Sequence, residues 1–591
     1  ERLKVYLANT LEDPQGQYTG LFPALTKESE GARAVKSNRI LVIAGNPPYS
    51  AESQNKGDEA RKLIDAYKTV DGKPLGERNP KVLQDDYVKF IRFAQMKMDN
   101  ADEGVVAVIT NHAFLDNPTF RGMRQSLMQT FNRMYFLDLH GNSKKREKAP
   151  DGGVDQNVFD IQQGVAISLF VKKNGMRKGV FHADLWGDCD SKYERCRKGR
   201  LQKVDWTRIK PAKAFYLFIP RDESLDKEYR QLYSLNDIFN SNTTGIVTAR
   251  DNFAIDYDKK ELLRRIEAFA DRQSHAETVK EFDLKDKGWW QAEVARDALT
   301  NLDDKASFCK LIAFRPFDDR YVFYHRAIVG RGRWDSAMRD MLPGDNLGLV
   351  SVRQVAEKEF NHVTITDKIV DLRMTLSNRG GAYLYPLYVH PNGNGNGAGA
   401  NGDGVQNGLE EEYNGRRENF KQAFRKWIDD RYGKHYSPED ILGCVYAIMH
   451  SPTYRERYRE FLRIDFPRVP FPESNADFER LAAIGRRLID AHLLRANCDG
   501  KVKMLGEGDD YTVGRVRYDE AEQRLYFNTS KYLAPISPEL AELQIGGYKP
   551  LEKYLKSRKG RDVFGDLEQL QQIGNALQFT LAEIERLPDF L

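Results

Sequence analysis

Residues 46 to 49 read Asn-Pro-Pro-Tyr and stand two residues, Ala44 and Gly45, behind the apolar run Ile40-Leu41-Val42-Ile43. A side-chain amide, two residues of fixed φ and an aromatic ring in four consecutive positions suit one kind of chemistry. An exocyclic amine on a nucleobase is a poor nucleophile, because its lone pair is delocalised into the ring. A site that accepts hydrogen bonds from its N–H groups draws that nitrogen towards tetrahedral geometry and makes it attack. The side-chain carbonyl of Asn46 and the backbone carbonyl of Pro47 supply two such acceptors, and Pro47 and Pro48 keep the segment rigid. Tyr49 offers a face on which the base stacks once it has left its duplex. The bland alternative is a Pro-Pro turn that ends a strand and buries a tyrosine. Placement behind an apolar run in an alternating α/β pattern favours the chemistry.

The elements that must position these residues are legible as periodicities. Residues 40–44, 105–110, 134–139 and 166–171 are apolar and β-rich and predict strands, the first of them buried. Apolar residues recur at helical spacing over 86–94 and 120–131, which predicts crossover helices and therefore an α/β sheet. In open sheets of that kind ligands sit beyond the carboxyl ends of strands, where Asn46 to Tyr49 fall. After a connector over 176–235, residues 236–390 are rich in aromatics and turn residues and predict a β-containing module. Residues 391–408, PNGNGNGAGANGDGVQNG, have nothing apolar to bury beyond one valine and predict a flexible linker. The remainder, 409–591, has helical stripes that read as core, ending in Leu567, Leu570, Ile573, Leu577, Leu581 and Ile584 on one face.

Composition narrows the classes. With 91 Lys plus Arg against 87 Asp plus Glu the net charge is +4, so a nucleic-acid surface must come from local clusters. The five cysteines form no C-x-x-C pair and have no histidine at zinc-ligand spacing, which predicts reduced thiols, no disulfide and no metal site. No run approaches a membrane span and the first residues lack the apolar run of a signal peptide, which predicts a cytoplasmic protein.

With its flanking segments, Asn46 to Tyr49 resembles the catalytic motif of methyltransferases that use S-adenosylmethionine, especially the gamma class of N6-adenine DNA methyltransferases. The resemblance implies a Rossmann-like methyltransferase sheet, with Asn46 and Pro47 on the target amine and Tyr49 stacked on a flipped adenine. YLANTLED (6–13) resembles the strand end that contacts the cofactor, which implicates Asn9. GVVAVITNHAFL (104–115) resembles the strand and loop after the catalytic motif. QNVFDIQQGVAISLFVKK (156–173) resembles the motif whose phenylalanine packs against the extruded base, which implicates Phe159. Further on, FRPFDDRYVFYHR (314–326), DFPRVPFP (465–472) and IGGYKPLEKYLKSRKGR (545–561) look like target-recognition regions of type ISP restriction-modification enzymes. The likeness covers the last two modules of such enzymes, a methyltransferase followed by a mixed α+β target-recognition domain with a helical portion. It implies a nuclease and an ATP-driven translocase upstream in full-length relatives. The family's F-x-G-x-G cofactor loop is missing, so the sheet is expected to be N-terminally incomplete in this chain. No G-x-x-x-x-G-K-[ST] phosphate loop occurs either.

The implied partner is double-stranded DNA with one adenine extruded. Lys144 and Lys145 with Arg146, the group Arg195, Arg197, Lys198 and Arg200, and RAIVGRGRW (326–334) are the basic clusters. In the last of them, Arg331 and Arg333 are the best candidates for groove contact, since neighbouring glycines remove bulk. KSRKGR (556–561) at a helix end reads equally as a complement to the helix dipole. Two competing functions remain: a DNA-recognition module without catalysis, suggested by the missing cofactor loop, and methylation of a protein glutamine or an RNA base.

Overall fold

The computed structural model describes Thr10, Leu11, Gly31, Ala32 and residues 38–591, apart from 50–52, 54, 56, 78–79, 144–146, 148, 214, 223, 289, 335, 356–358, 377–379, 391–414, 497 and 499. The calls on Asn9, on Lys144, Lys145 and Arg146, and on the 391–408 linker therefore lie outside the described residues. The chain forms two compact units, Glu1–Asp222 and Glu223–Leu591, and is a mixed α/β protein with several sheets.

The first unit is built on strands β1 (Val42–Gly45), β2 (Gly104–Asn111), β3 (Arg133–Asp138), β4 (Val165–Lys172), β5 (Gly179–Asp184) and β6 (Thr207–Ile209). Their spatial order is β1-β2-β4-β3-β5-β6. β1 and β2 are parallel, with Val42 opposite Val105, and β3 and β5 are parallel. β4 runs antiparallel between β2 and β3. Consequently β1, β2, β3 and β5 all end at the same edge. Helix α1 (Asp86–Asp99) makes the crossover from β1 to β2, and α2 (Arg121–Thr130) lies between β2 and β3 in the chain. Every second residue of β2 and β3 is buried, as the period of a strand requires. The inward set, Val106, Val108, Met134 and Phe136, packs with Tyr87, Val88, Ile91 and Met98 of α1.

One expectation fails here. The run 40–44 is not a buried strand: among the described residues β1 pairs with β2 alone, and Leu41 is 56% and Val42 67% exposed. Among its apolar residues, Ile43 is the one that packs against the core cluster. Apolar composition specified a strand, but burial on both faces depends on neighbours that composition does not encode.

In the second unit an antiparallel hairpin, β7 (Cys309–Arg315) and β8 (Asp318–Phe323), belongs to one four-stranded sheet. β9 (Gly348–Val352) and β10 (Ala382–Pro386) pair in another. Helices α4 (Pro438–His450), α5 (Asn475–His492) and α6 (Leu567–Glu585) carry the expected stripes. α4 is apolar nearly all round and correspondingly buried, and Leu570, Ile573 and Leu577 of α6 enter a core cluster. Helices at Lys259–Ala270 and Ala292–Thr300 also lie within the stretch predicted as β-containing.

Candidate active site

Asn46 begins the segment immediately beyond the carboxyl end of β1. Asn46 and Pro48 are exposed, and Pro47 and Tyr49 are half-buried. The Tyr49 ring is anchored through its hydroxyl. Its hydroxyl lies 2.7 Å from Asn46 Oδ1 and 3.1 Å from the carbonyl of Ile109 on β2, so its single proton serves one acceptor at a time. Its phenol is pushed up to about 12 by burial and stays a neutral donor. Phe159, from the loop between β3 and β4, stands opposite: the two ring centroids are 6.5 Å apart and tilted by 49°. Residues 110 positions apart in the chain thus flank one space beside an amide carbonyl.

The loop bearing Phe159 is fixed by buried polar groups. The Asn157 side chain accepts from the Phe159 N–H at 2.9 Å and donates to the carbonyls of Gly141 at 3.1 Å and Gln163 at 2.6 Å. A Cβ on Gly141, whose φ is 77°, would lie 2.4 Å from the Asn157 Cα, so the close approach requires glycine. Lys192, on helix α3 (Cys189–Lys198), is fully buried. It donates to Asp155 Oδ1 at 2.6 Å and to the carbonyls of Leu139 at 2.7 Å and Gln156 at 2.6 Å. The other Asp155 oxygen accepts from the Gly141 N–H at 2.7 Å. All three ammonium protons of Lys192 are spent on fixing this loop.

A second constellation occupies the same sheet edge. His112 follows β2, Asp138 ends β3, His140 lies two residues beyond it and Asp184 ends β5. His112 Nδ1 is 2.9 Å from Asp138 Oδ1, and the His140 N–H donates to that oxygen at 2.9 Å. Burial alone would raise the Asp138 carboxyl, but the His112 and His140 imidazoles and that N–H outweigh it and hold the group well below the usual carboxylate range. His140 Nε2 is 2.8 Å from Asp184 Oδ1, and the His140 ring stacks on Trp186 with centroids 3.4 Å apart. His182 is buried beside them, and desolvation lowers its basicity. His112, His140 and Glu147, and separately Asp138, His140 and Asp184, each converge closely enough to hold one ion.

Cysteine spacing, the basis of the sequence reading, carries no trace of this cluster. The available signal was positional, since each member stands at or just past the carboxyl end of a strand that points to the ligand edge.

Among the DNA-contact candidates, Arg331 is exposed and its backbone pairs with Val247 at 2.9 Å in both directions, while Arg333 is half-buried with φ 49°. Gly332 between them is not open to a groove. It is buried, and a Cβ there would lie 2.1 Å from Trp334 Cζ2. Its missing side chain makes room for Trp334, whose ring packs on Tyr324 at 4.3 Å. Arg195, Arg197 and Lys198 are exposed on the last turn of α3 and Arg200 is exposed beyond it. In the hairpin β7–β8, Arg320 lies between the rings of Phe314 and Tyr257, 4.0 and 4.2 Å away, and bonds Asp318 at 2.6 Å. In IGGY, Gly546 and Gly547 donate to the carbonyls of Asn361 and Thr375, and the Tyr548 hydroxyl donates to that of Leu376 at 2.6 Å. Those two motifs do packing work in this unit. Among the described residues no helix is long and apolar enough to cross a membrane.

A family model for the Type ISP C-terminal specificity domain matches residues 237–579. Three solved structures resemble the chain over nearly its full length. One is the ATP-dependent Type ISP restriction-modification enzyme LlaBIII bound to DNA, with a TM-score of 0.77 and 21% identity over 99% of this chain and 39% of that one. Another is a nuclease-deletion mutant of the Type ISP enzyme LlaGI with a DNA substrate mimic, with 0.70 and 21% over 96% and 54%. The third is the DrdV–DNA complex, with 0.73 and 22% over 97% and 59%. The chain therefore spans between about two fifths and three fifths of the length of these enzymes. No curated protein sequence matches.

Proposed function

The chain belongs to the Type ISP C-terminal specificity domain family, and from that premise we propose that it is the modification and target-recognition part of a restriction-modification enzyme. In this reading the first unit methylates adenine N6 in a specific DNA site, as a gamma-class enzyme does, and the second unit selects the site. The likeness to two Type ISP enzymes and to DrdV, all three solved with DNA or a DNA mimic, supports double-stranded DNA as the partner. A nuclease and an ATP-driven translocase are proposed for the rest of the polypeptide.

The observation that carries the catalytic half is the pairing of Tyr49 with Phe159 beside Asn46 at the carboxyl edge of the sheet. The parallel pair β1–β2 with a helical crossover suits one half of a Rossmann-like sheet, whose ligands bind at that edge. An extruded adenine between the two rings would present its amine to the Asn46 side chain and the Pro47 carbonyl. S-adenosylmethionine, when bound, supplies the electrophilic methyl group. Asn46 is the described residue suited to its reacting end, and Asn9 is the further candidate. The chain's own contribution is to orient the amine, pull its hydrogens aside so that the nitrogen lone pair faces the incoming carbon, and keep water out with two rings. The Tyr49 hydroxyl has an alternative acceptor in Ile109, so turning to it releases Asn46 Oδ1 for the amine.

A recognition module without catalysis is the second reading, favoured by the match of residues 237–579 to a specificity domain. Transfer of a labelled methyl group to DNA by the full-length enzyme, with calorimetry of S-adenosylmethionine on this chain, separates the two. Transfer to adenine N6 supports the first, and an intact enzyme that binds its site without any methyl transfer sinks it.

A further inference from the structure

We propose that His112, His140 and Glu147 bind one divalent transition-metal ion of the zinc class, with Asp138 and Asp184 as the carboxylates that orient the two imidazoles. The proposal does not depend on methylation.

Each histidine is anchored through one ring nitrogen. His112 uses Nδ1, at 2.9 and 3.2 Å from the two Asp138 oxygens, and His140 uses Nε2, at 2.8 Å from Asp184 Oδ1. An imidazole that donates one N–H to a carboxylate presents a lone pair at the other nitrogen and becomes more basic there, the arrangement that recurs behind metal-bound histidines. The remaining nitrogens turn inward. His140 Nδ1 is 4.0 Å from Glu147 Oε2, and His112 Nε2 is 3.3 Å from the Asn142 amide, which an ion would displace. One ligand atom from each of His112, His140 and Glu147 lies within 4.8 Å of the others. The two rings are perpendicular, at 87°, with centroids 6.3 Å apart. Metal bonds of about 2.0–2.1 Å place neighbouring ligands about 3.4 Å apart in a tetrahedral site, so an inward shift of the half-buried Glu147 closes it.

Three further observations point to a cation. The site is pre-organised, since His112 is 5% and His140 8% exposed and His140 is held at φ 51° against Trp186. Asp138, Glu147 and Asp184 each lie within ion-pair distance of an imidazole: His112 and His140 for Asp138, His140 for Glu147, and His140 and His182 for Asp184. His182, 2% exposed, has neither ring nitrogen hydrogen-bonded and lies 3.9 Å from Asp184 Oδ2, a spare nitrogen donor beside the cluster. Two imidazoles with one carboxylate select zinc, cobalt or nickel over magnesium or calcium, which prefer all-oxygen sites. The ion would tie the ends of β2 and β3 to Glu147, which already accepts from the Asn142 N–H at 2.9 Å.

The test uses the whole chain, stripped with a chelator and titrated with Zn²⁺ by calorimetry, with Co²⁺ as an optical probe. The expected result is roughly one equivalent bound, a rise in Tm, and the visible absorption of cobalt in a nitrogen-containing site of low coordination number. His140→Gln and Glu147→Gln should lose the site, Asp184→Asn should weaken it by about 10–100-fold, and His435→Ala, on the surface of the other unit, should bind like wild type. Glu147→Gln keeps an acceptor for the Asn142 N–H, so loss of binding with an unchanged circular dichroism spectrum is loss of a ligand. The proposal is overturned if Zn²⁺ and Co²⁺ bind substoichiometrically without moving Tm. Equal binding by wild type and Glu147→Gln, or a preference for Mg²⁺, overturns it as well.

Discussion

Asn46 and Tyr49 were legible in the sequence because their chemistry is contiguous: four neighbouring residues contain the acceptors, the rigidity and the ring. Phe159 was reached only through the resemblance, yet the fold brings its ring to 6.5 Å from that of Tyr49. The histidine and carboxylate cluster could not be read in the same way. Its members span positions 112 to 184 and meet because β2, β3 and β5 end at the same edge of the sheet, an arrangement that periodicity does not reveal. Asn46→Ala in the intact enzyme should lower methyl transfer by roughly a hundredfold or more while leaving DNA affinity near normal, since it removes one preorganised acceptor and no duplex contact. Rates and filter-binding isotherms measured side by side decide it, and wild-type transfer by the variant refutes the role. Tyr49→Ala and Phe159→Ala should each weaken capture of the extruded base by roughly 1–3 kcal/mol. A 2-aminopurine at the target reports this through its emission, and equal enhancement by wild type and both variants removes the rings from the pocket.

At the scale of elements, four of the six strands of the first sheet and its two crossover helices were foreseen to within a few residues, while β5 and β6 fall in the stretch read as a connector and what an element does at its ends was not foreseen. Helix α3 offers a run of exposed basic residues that drew attention as a surface, while the residue of consequence is Lys192 on its buried side. Removing one member of a buried pair leaves the other charge uncompensated, so Lys192→Met should destabilise the first unit by roughly 3–5 kcal/mol, whereas Asp155→Asn with Lys192→Met should recover part of that. Urea denaturation followed by near-ultraviolet circular dichroism measures both, and additive losses would mean that the pair does not act as a unit. In the second unit His492 ends α5 and links it to Tyr446 of α4 and, at 2.9 Å, to Thr580 of α6. Burial first, and the positive Arg455 second, lower its pKa to about 4 from the 6.5 of a free histidine. The folded protein therefore binds this proton less readily than the unfolded chain. The stabilisation is complete above about pH 6.5 and is lost as pH falls towards 4, by roughly 3 kcal/mol in total. Melting curves between pH 7 and 4 should show that slope, flattened in His492→Gln; equal slopes would place the titration elsewhere.

At the scale of the molecule, the chain divides into Glu1–Asp222 and Glu223–Leu591, and the proposed function assigns chemistry to the first and choice to the second. The Asn-Pro-Pro-Tyr segment, Phe159 and the loop that fixes it all fall in the first unit. The family match, 237–579, falls wholly in the second. Sequence motifs located that second part but misread Gly332, because a glycine in a basic run looks alike whether it opens onto a groove or makes room for Trp334. If the first unit accepts any extruded adenine, the recognised site must be set by side chains of the second, with Arg331 and Arg333 the leading candidates. An arginine bidentate to guanine discriminates by about 1–3 kcal/mol at one base pair, whereas one on phosphate weakens all sequences alike. Replacing Glu223–Leu591 with the corresponding part of a relative should thus change which site is methylated and keep adenine N6 as the acceptor. Sequencing of methylated DNA from cells carrying the chimera reads both outcomes at once. An unchanged site would return specificity to the first unit, and a changed acceptor atom would undo the roles given to Asn46 and Pro47.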